Sequence, residues 1–175
     1  KISICVRKRP IFKKENKKGE IDIVSVGNPN IRVHECKMRV DGITKYIENH
    51  NFTVDNAFGD YESSENLYNS TIAPNLLSLT KGRTLTCFAY GQTGSGKTFT
   101  MTGVSQMAIT DLYKMLKRSP ETSDISCHLS YFEIYSGKLL DLLNDRNELK
   151  VFEDKRQRVQ VYGLTETKME TEQDM

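Results

Sequence analysis

The chain has 175 residues, 37% of them hydrophobic and 27% charged, which is enough for one domain with a sizeable core. Its 25 Lys and Arg against 23 Asp and Glu leave a net charge of +2, which gives no support to nucleic acid as a partner. No apolar run approaches the ~18 residues of a membrane helix, and the first residues lack a signal-peptide core, so no membrane partner is expected. The start at Lys1, without Met, reads as an excerpt of a longer protein. Cys5, Cys36, Cys87 and Cys127 are widely spaced, with no metal-ligand pattern, which fits a reduced, intracellular setting. His34, His50 and His128 fall in unrelated contexts, and no metal site is expected of them.

In chain order, residues 2–6 form a first strand, ended by Arg7-Lys8-Arg9-Pro10. Residues 13–18 are a solvated turn, and residues 21–26 and 30–36 alternate as a hairpin around Gly27-Asn28-Pro29. Residues 37–46 make a second polar excursion. Residues 51–58 return as a strand with Phe52, Val54 and Phe58 inward. Helical periodicity then runs over residues 63–79 through Leu67, Tyr68, Ile72, Leu76 and Leu77, with Ser64 as its cap. Residues 84–90 are apolar and β-branched, the composition of a buried strand. Residues 107–116 carry the apolar set of a short helix. Residues 125–135 read as a strand, residues 138–143 as a helical turn, and residues 149–152 and 158–162 as a charged hairpin. The tail, 165–175, looks like a helix beginning. No repeat or low-complexity linker divides the chain, so residues 1–175 are read as one domain.

The most informative stretch is Gly91-Gln92-Thr93-Gly94-Ser95-Gly96-Lys97-Thr98. A Gly, four free positions, then Gly, Lys and Ser or Thr is the phosphate-loop spacing. Glycines let backbone N–H groups approach an anion closely, and a helix opening at Lys97 adds its N-terminal dipole. Lys97 is expected to reach the β- and γ-phosphates, and the Thr98 hydroxyl to be a ligand of Mg²⁺. These two are the candidate catalytic residues, and Thr98 is the candidate metal ligand.

Ala89-Tyr90 before this loop and Phe99-Thr100-Met101-Thr102-Gly103 after it resemble the signature of the kinesin motor domain. Three further blocks fall in the order seen in that family: Arg7-Lys8-Arg9-Pro10, Val54-Asp55-Asn56-Ala57-Phe58, and Ser130-Tyr131-Phe132-Glu133-Ile134-Tyr135 continuing into Asp141-Leu142-Leu143. The resemblance implies an α/β, P-loop NTPase-like fold with a central mixed β-sheet flanked by helices on both faces, of which this chain covers about the N-terminal half. It implies ATP with Mg²⁺ as cofactors, tubulin and microtubules as partners, and a cytoplasmic place on the microtubule cytoskeleton, the spindle included. It also implies an adenine pocket in which Arg7, Arg9 and Pro10 lie against base and ribose while Phe99 stacks on the adenine. Glu133 and Tyr135 are expected to be structural.

A second layer is similar to the internal-motor kinesins that depolymerise microtubules (kinesin-13). It comprises Arg7-Lys8-Arg9-Pro10 running into Lys13-Lys14-Glu15, Gly137-Lys138, and Val159-Gln160-Val161 before Gly163-Leu164. Those kinesins carry Lys-Val-Asp at the tip of an extended hairpin; here Arg39-Val40-Asp41 stands in that place, a guanidinium fork replacing an ammonium. Lys155, Arg156 and Arg158 sit where kinesins present a tubulin-facing lobe, and basic loops suit an acidic microtubule. The resemblance therefore implies an ATPase that depolymerises microtubule ends. The alternatives are a translocating kinesin and a nucleotide- or tubulin-binding module without turnover. The Asn…Ser-Ser-Arg and Asp-Leu-Ala-Gly switch segments of the family are not found. The join of Gly103 to Val104 is abrupt where kinesins have a longer loop, so residues closed up at that point are expected.

Overall fold

A computed structural model describes residues 2–118 and 125–169. It divides into two compact units, residues 1–108 and 109–175, each treated separately below. Parallel and antiparallel ladders together with helices make the chain an α/β protein.

In the first unit, β1 (Cys5–Arg7) pairs in parallel with β5 (Asn56–Phe58), with Cys5 opposite Asn56 and Arg7 opposite Phe58. Three antiparallel strands follow the expected hairpin: β2 (Val24–Gly27), β3 (Asn30–Met38) and β4 (Lys45–Thr53). The Asn28 side chain accepts from the Ala57 N–H at 2.8 Å, and Val54 N–H donates to Pro29 O at 3.1 Å, which ties the three-stranded sheet to β5. The second excursion is thus the far half of a nine-by-nine-residue hairpin. Of the three residues expected inward, Phe58 is buried, Val54 is half-buried and Phe52 is 53% exposed, although Ile31 opposite it in the ladder is buried. Residues 13–17 form a single helical turn, α1 (Lys13–Lys17), in place of the expected loop.

Helix α2 (Ser64–Thr71) and the short α3 (Ala73–Leu76) replace the one predicted helix. The break follows Pro74 at the second position of α3, which lacks the N–H that would continue the ladder of α2. The cap is Ser63, not Ser64: the Ser63 hydroxyl accepts from Asn66 N–H at 3.1 Å. Tyr68, Ile72 and Leu76 line the apolar side, with Ile31, Ala57, Phe58 and Val104 also buried.

Residues 84–90 are the main departure. They belong to no ladder, and Phe88 and Tyr90 are 82% and 98% exposed. Composition signals burial, but a strand exists only where a neighbour takes up its backbone groups, and no described segment does so here. After the loop, α4 (Lys97–Arg118) runs through Gly103 and Val104. Gly103 lies where α4 crosses the start of α2; a Cβ there would stand 3.0 Å from that of Ser64.

The second unit holds an antiparallel sheet in the order β10-β9-β8-β7: β7 (Phe132–Tyr135), β8 (Lys138–Asp141), β9 (Asn147–Glu153) and β10 (Val159–Tyr162). Residues 138–141 are therefore a strand and not a helical turn. Ser136 and Gly137 both have positive φ (51° and 77°), the requirement of a tight two-residue hairpin turn, and that turn sends the chain back along β7. Two short strands, β6 (His128–Leu129) and β11 (Thr167–Lys168), pair beside it, so the start of the predicted tail helix is a strand. Residues 170–175 lie outside the described residues.

Asp141, fully buried, holds this unit together. Its carboxylate accepts from Leu143 N–H at 2.9 Å and Thr165 N–H at 2.8 Å. Burial pushes its pKa up, but these bonds and the Thr165 hydroxyl outweigh burial and leave it below the ordinary range. Leu139 and Leu149 are buried near it. Tyr135, expected in the core, is 69% exposed, and Glu133 pairs with Arg146. All four cysteines are free, and no described helix is long and apolar enough to cross a membrane.

The capping assignment is testable by urea unfolding. Ser63→Ala should lower stability by about 1 kcal/mol, the ordinary effect of losing a capping hydroxyl, through a shift in midpoint with an unchanged slope. An unchanged midpoint would show that Ser63 does not cap α2.

Candidate functional site

The site is built at the join of the 91–96 loop and α4. Ser95 N–H donates to Gln92 O at 3.1 Å, closing the loop, and Thr100 N–H donates to Gly96 O at 3.0 Å, starting the helix. The loop is tight enough that Gly91 is required: a Cβ there would stand 2.6 Å from the Ser95 Oγ. No acidic residue occupies the first turn of α4, so its N–H groups and partial positive charge are left for an anion.

Lys97 folds back over this loop, donating from Nζ to Gly91 O at 2.7 Å and Gln92 O at 2.9 Å. An ammonium has three donors, so one remains for a phosphate oxygen while the other two fix its position. Thr98 is exposed at the same helix end, its hydroxyl accessible to a hydrated cation. The donor set and the tight loop fit a triphosphate with Mg²⁺: backbone N–H groups, one cation and one hydroxyl at the same helix end.

Beside it, Phe99 is 70% exposed. Its ring lies 5.3 Å from the Arg7 guanidinium carbon, so these two expected residues do come together. Arg7 is fixed from three directions. Its Nη1 donates to Ser64 Oγ (2.9 Å) and Thr100 Oγ1 (3.1 Å), and its Nη2 donates to Glu62 O (3.0 Å). Arg9 goes elsewhere. It makes a two-pronged bond to Glu15 (2.9 and 2.7 Å), donates to Pro10 O at 3.1 Å, and lies 4.2 Å from the centroid of Phe12. Pro10 is exposed. Phe12 and Glu62 were not singled out from sequence, and Glu15, Ser64 and Thr100 were not expected as partners of these arginines; Glu15 alone left a signal for its role, standing three residues after Phe12 at the spacing of a helix start. Its carboxylate also accepts from Phe12 N–H at 2.7 Å.

The basic candidates sit at two hairpin tips, one in each unit. Between β3 and β4, Arg39 N–H donates to Thr44 O at 2.8 Å, and Arg39, Val40 and Asp41 are all exposed. Between β9 and β10, Asp154 accepts from Arg156 N–H (2.8 Å), Arg158 N–H (2.9 Å) and Arg158 Nε (3.0 Å). Arg158 is thus engaged by its neighbour, whereas Lys155 and Arg156 are exposed. Midway along the β3–β4 hairpin, Glu35, Glu48 and His50 bring metal-ligand atoms within 4.8 Å of one another. The Lys37 ammonium already bridges the two carboxylates at 3.2 and 2.5 Å, so the group is a charge network.

The model of the kinesin motor domain family matches residues 7–175. The chain belongs to the kinesin motor domain family. That membership carries the P-loop NTPase-like α/β fold, and it places the chain among microtubule-associated motors of the cytoskeleton, which in general bind nucleotide with Mg²⁺ and hydrolyse ATP. The matched region includes the 91–98 loop, both hairpin tips and Arg7.

The Arg9–Glu15 contact predicts a pH response. The Arg9 guanidinium foremost, then Phe12 N–H, holds the Glu15 pKa down from 4.5 to about 2 against partial desolvation. A depressed carboxylate stabilises the fold above its ordinary range, and the effect is lost as pH falls from about 4.5 towards 2. A carbon-13 NMR titration should find the Glu15 midpoint near 2, rising in Arg9→Ala; a midpoint near 4.5 in the unsubstituted protein would contradict the pairing.

Proposed function

We propose that this kinesin is an ATP-driven microtubule depolymerase of the internal-motor class (kinesin-13), and that residues 1–175 supply the N-terminal, nucleotide-binding part of its motor domain, a central sheet flanked by helices on both faces. The observation that carries the reading is the place of Arg39-Val40-Asp41: an exposed tip at the end of two paired nine-residue strands. A walking motor has no evident use for such a projection, whereas a device that pries between tubulin subunits does.

In this reading the backbone N–H groups of 91–98 and the first turn of α4 bind the phosphates of ATP. Lys97 orients the β- and γ-phosphates, and Thr98 holds Mg²⁺ through its hydroxyl. When bound, Mg²⁺ supplies charge neutralisation across the β- and γ-oxygens. Phe99 offers its exposed face to the adenine, with Arg7 fixing that face from behind. Arg9 and Pro10 border the same pocket, Arg9 mainly by holding α1 through Glu15. Lys155, Arg156 and Arg158 meet the acidic tubulin surface from the second unit.

The test is sedimentation of stabilised microtubules incubated with the intact protein and a slowly hydrolysed ATP analogue. The protein should release tubulin to the supernatant, and a variant with Arg39, Val40 and Asp41 all changed to Ala should release severalfold less while still pelleting with microtubules. Microtubules that pellet intact under both proteins would favour a translocating kinesin or a binding module without turnover.

A further inference from the structure

The three residues of the exposed triplet are not equivalent. Arg39 takes part in the turn through its backbone alone, and Val40 is fully exposed, with Ile43 beside it 82% exposed. Asp41 is different. Its Oδ1 accepts from Ile43 N–H and Thr44 N–H, both at 2.9 Å, and its Oδ2 accepts from the Thr44 hydroxyl at 2.6 Å. Gly42 N–H closes the turn onto Arg39 O at 2.9 Å. Both carboxylate oxygens are therefore engaged within the tip itself. A short acidic side chain bonding the backbone two and three residues ahead is a turn-forming device.

The strands behind the tip are braced in the same way. Lys37 bridges Glu35 and Glu48, and His50 Nε2 lies 2.8 Å from Glu35. On the opposite face Arg32 Nε donates to Asn51 at 2.8 Å, and His34 spans Ser25 and Asn49 at 2.8 and 2.6 Å. A braced ladder ending in a locked turn transmits force to whatever stands at its end, and that is the Arg39–Val40 pair. The second tip repeats the device, Asp154 closing the turn that exposes Lys155 and Arg156.

We infer that Asp41 is a positioning residue: it locks the tip that presents Arg39 and Val40, and these two, not its own carboxylate, engage tubulin. This rests on the depolymerase reading above. Because Asn can accept the two backbone N–H bonds at its one oxygen and turn its amide N–H to the Thr44 hydroxyl, reversing only that bond, the charge itself is dispensable on this account. A residue that contacted a cationic group of the partner would need it.

The experiment compares Asp41→Ala, Asp41→Asn and Val40→Ala in the intact protein, by tubulin release in the sedimentation assay and by hydrogen exchange of the Ile43 and Thr44 amides. Asp41→Ala should reduce release about fivefold, as expected when a capping carboxylate is lost, and accelerate both amides, while Asp41→Asn restores release to within about twofold. Val40→Ala should reduce release with both amides still protected. If Asp41→Asn is as impaired as Asp41→Ala while its amides stay protected, the carboxylate contacts the partner and the inference is overturned. If the unsubstituted protein releases no tubulin, the depolymerase reading fails. The exchange arm then decides the role of Asp41 by itself: acceleration in Asp41→Ala upholds the lock, and unchanged exchange overturns it.

Discussion

The first unit depends on the guanidinium of Arg7. Two of its donors reach the hydroxyls of Ser64 and Thr100, a third reaches the Glu62 carbonyl, and its carbon lies 5.3 Å from the centroid of the Phe99 ring. One side chain from β1 thereby fixes the start of α2 and the first turn of α4. That turn carries the N–H groups, Lys97 and Thr98 of the proposed nucleotide cradle, so on that reading its orientation matters more than that of any other helix end. A lysine could not replace this arginine, because a single ammonium cannot serve three acceptors in a fixed fork and lie flat against a ring.

A short carboxylate engaged by backbone N–H groups recurs through the fold and sets most of the surface geometry. Asp41 and Asp154 shape the two basic tips, Glu15 caps α1 while holding Arg9, and the buried Asp141 joins the end of β8 to residue 165. At the two tips the aspartate is consumed internally, which leaves Arg39, Lys155 and Arg156 as exposed charge. A chain with a net charge of only +2 can thus offer locally positive tips to an acidic partner without an overall basic composition.

The tight turn of 91–96 and the helix opening at Lys97 were legible because the glycine spacing permits few alternatives to a closed loop with Lys97 folded over it. The β2–β3 hairpin and the charged β9–β10 hairpin were legible from turn residues and alternation. Other elements were not, for identifiable reasons. Leu139, Leu140, Leu142 and Leu143 have a spacing that suits a helix, yet Ser136 and Gly137 commit the chain to a tight reversal before it. Periodicity over residues 63–79 ignored the missing N–H of Pro74, and of two adjacent serines it could not say which one faced the Asn66 amide and which one Arg7. Residues 84–90 show that apolar composition alone secures neither pairing nor burial: the segment joins no ladder, and Phe88 and Tyr90 stand exposed. The partners of Arg9 and the lock at Asp41 depend on side-chain geometry that spacing alone does not encode.

The central claim is that residues 91–98 and the start of α4 cradle a nucleotide triphosphate. The most direct measurement is equilibrium binding of a fluorescent ATP analogue with Mg²⁺ to the intact protein and to Lys97→Ala, with thermal unfolding recorded for both. The account predicts binding weakened about 10- to 100-fold in the variant, the loss of a charged hydrogen bond to phosphate, at an unchanged melting temperature. Equal affinity in the two proteins would contradict it.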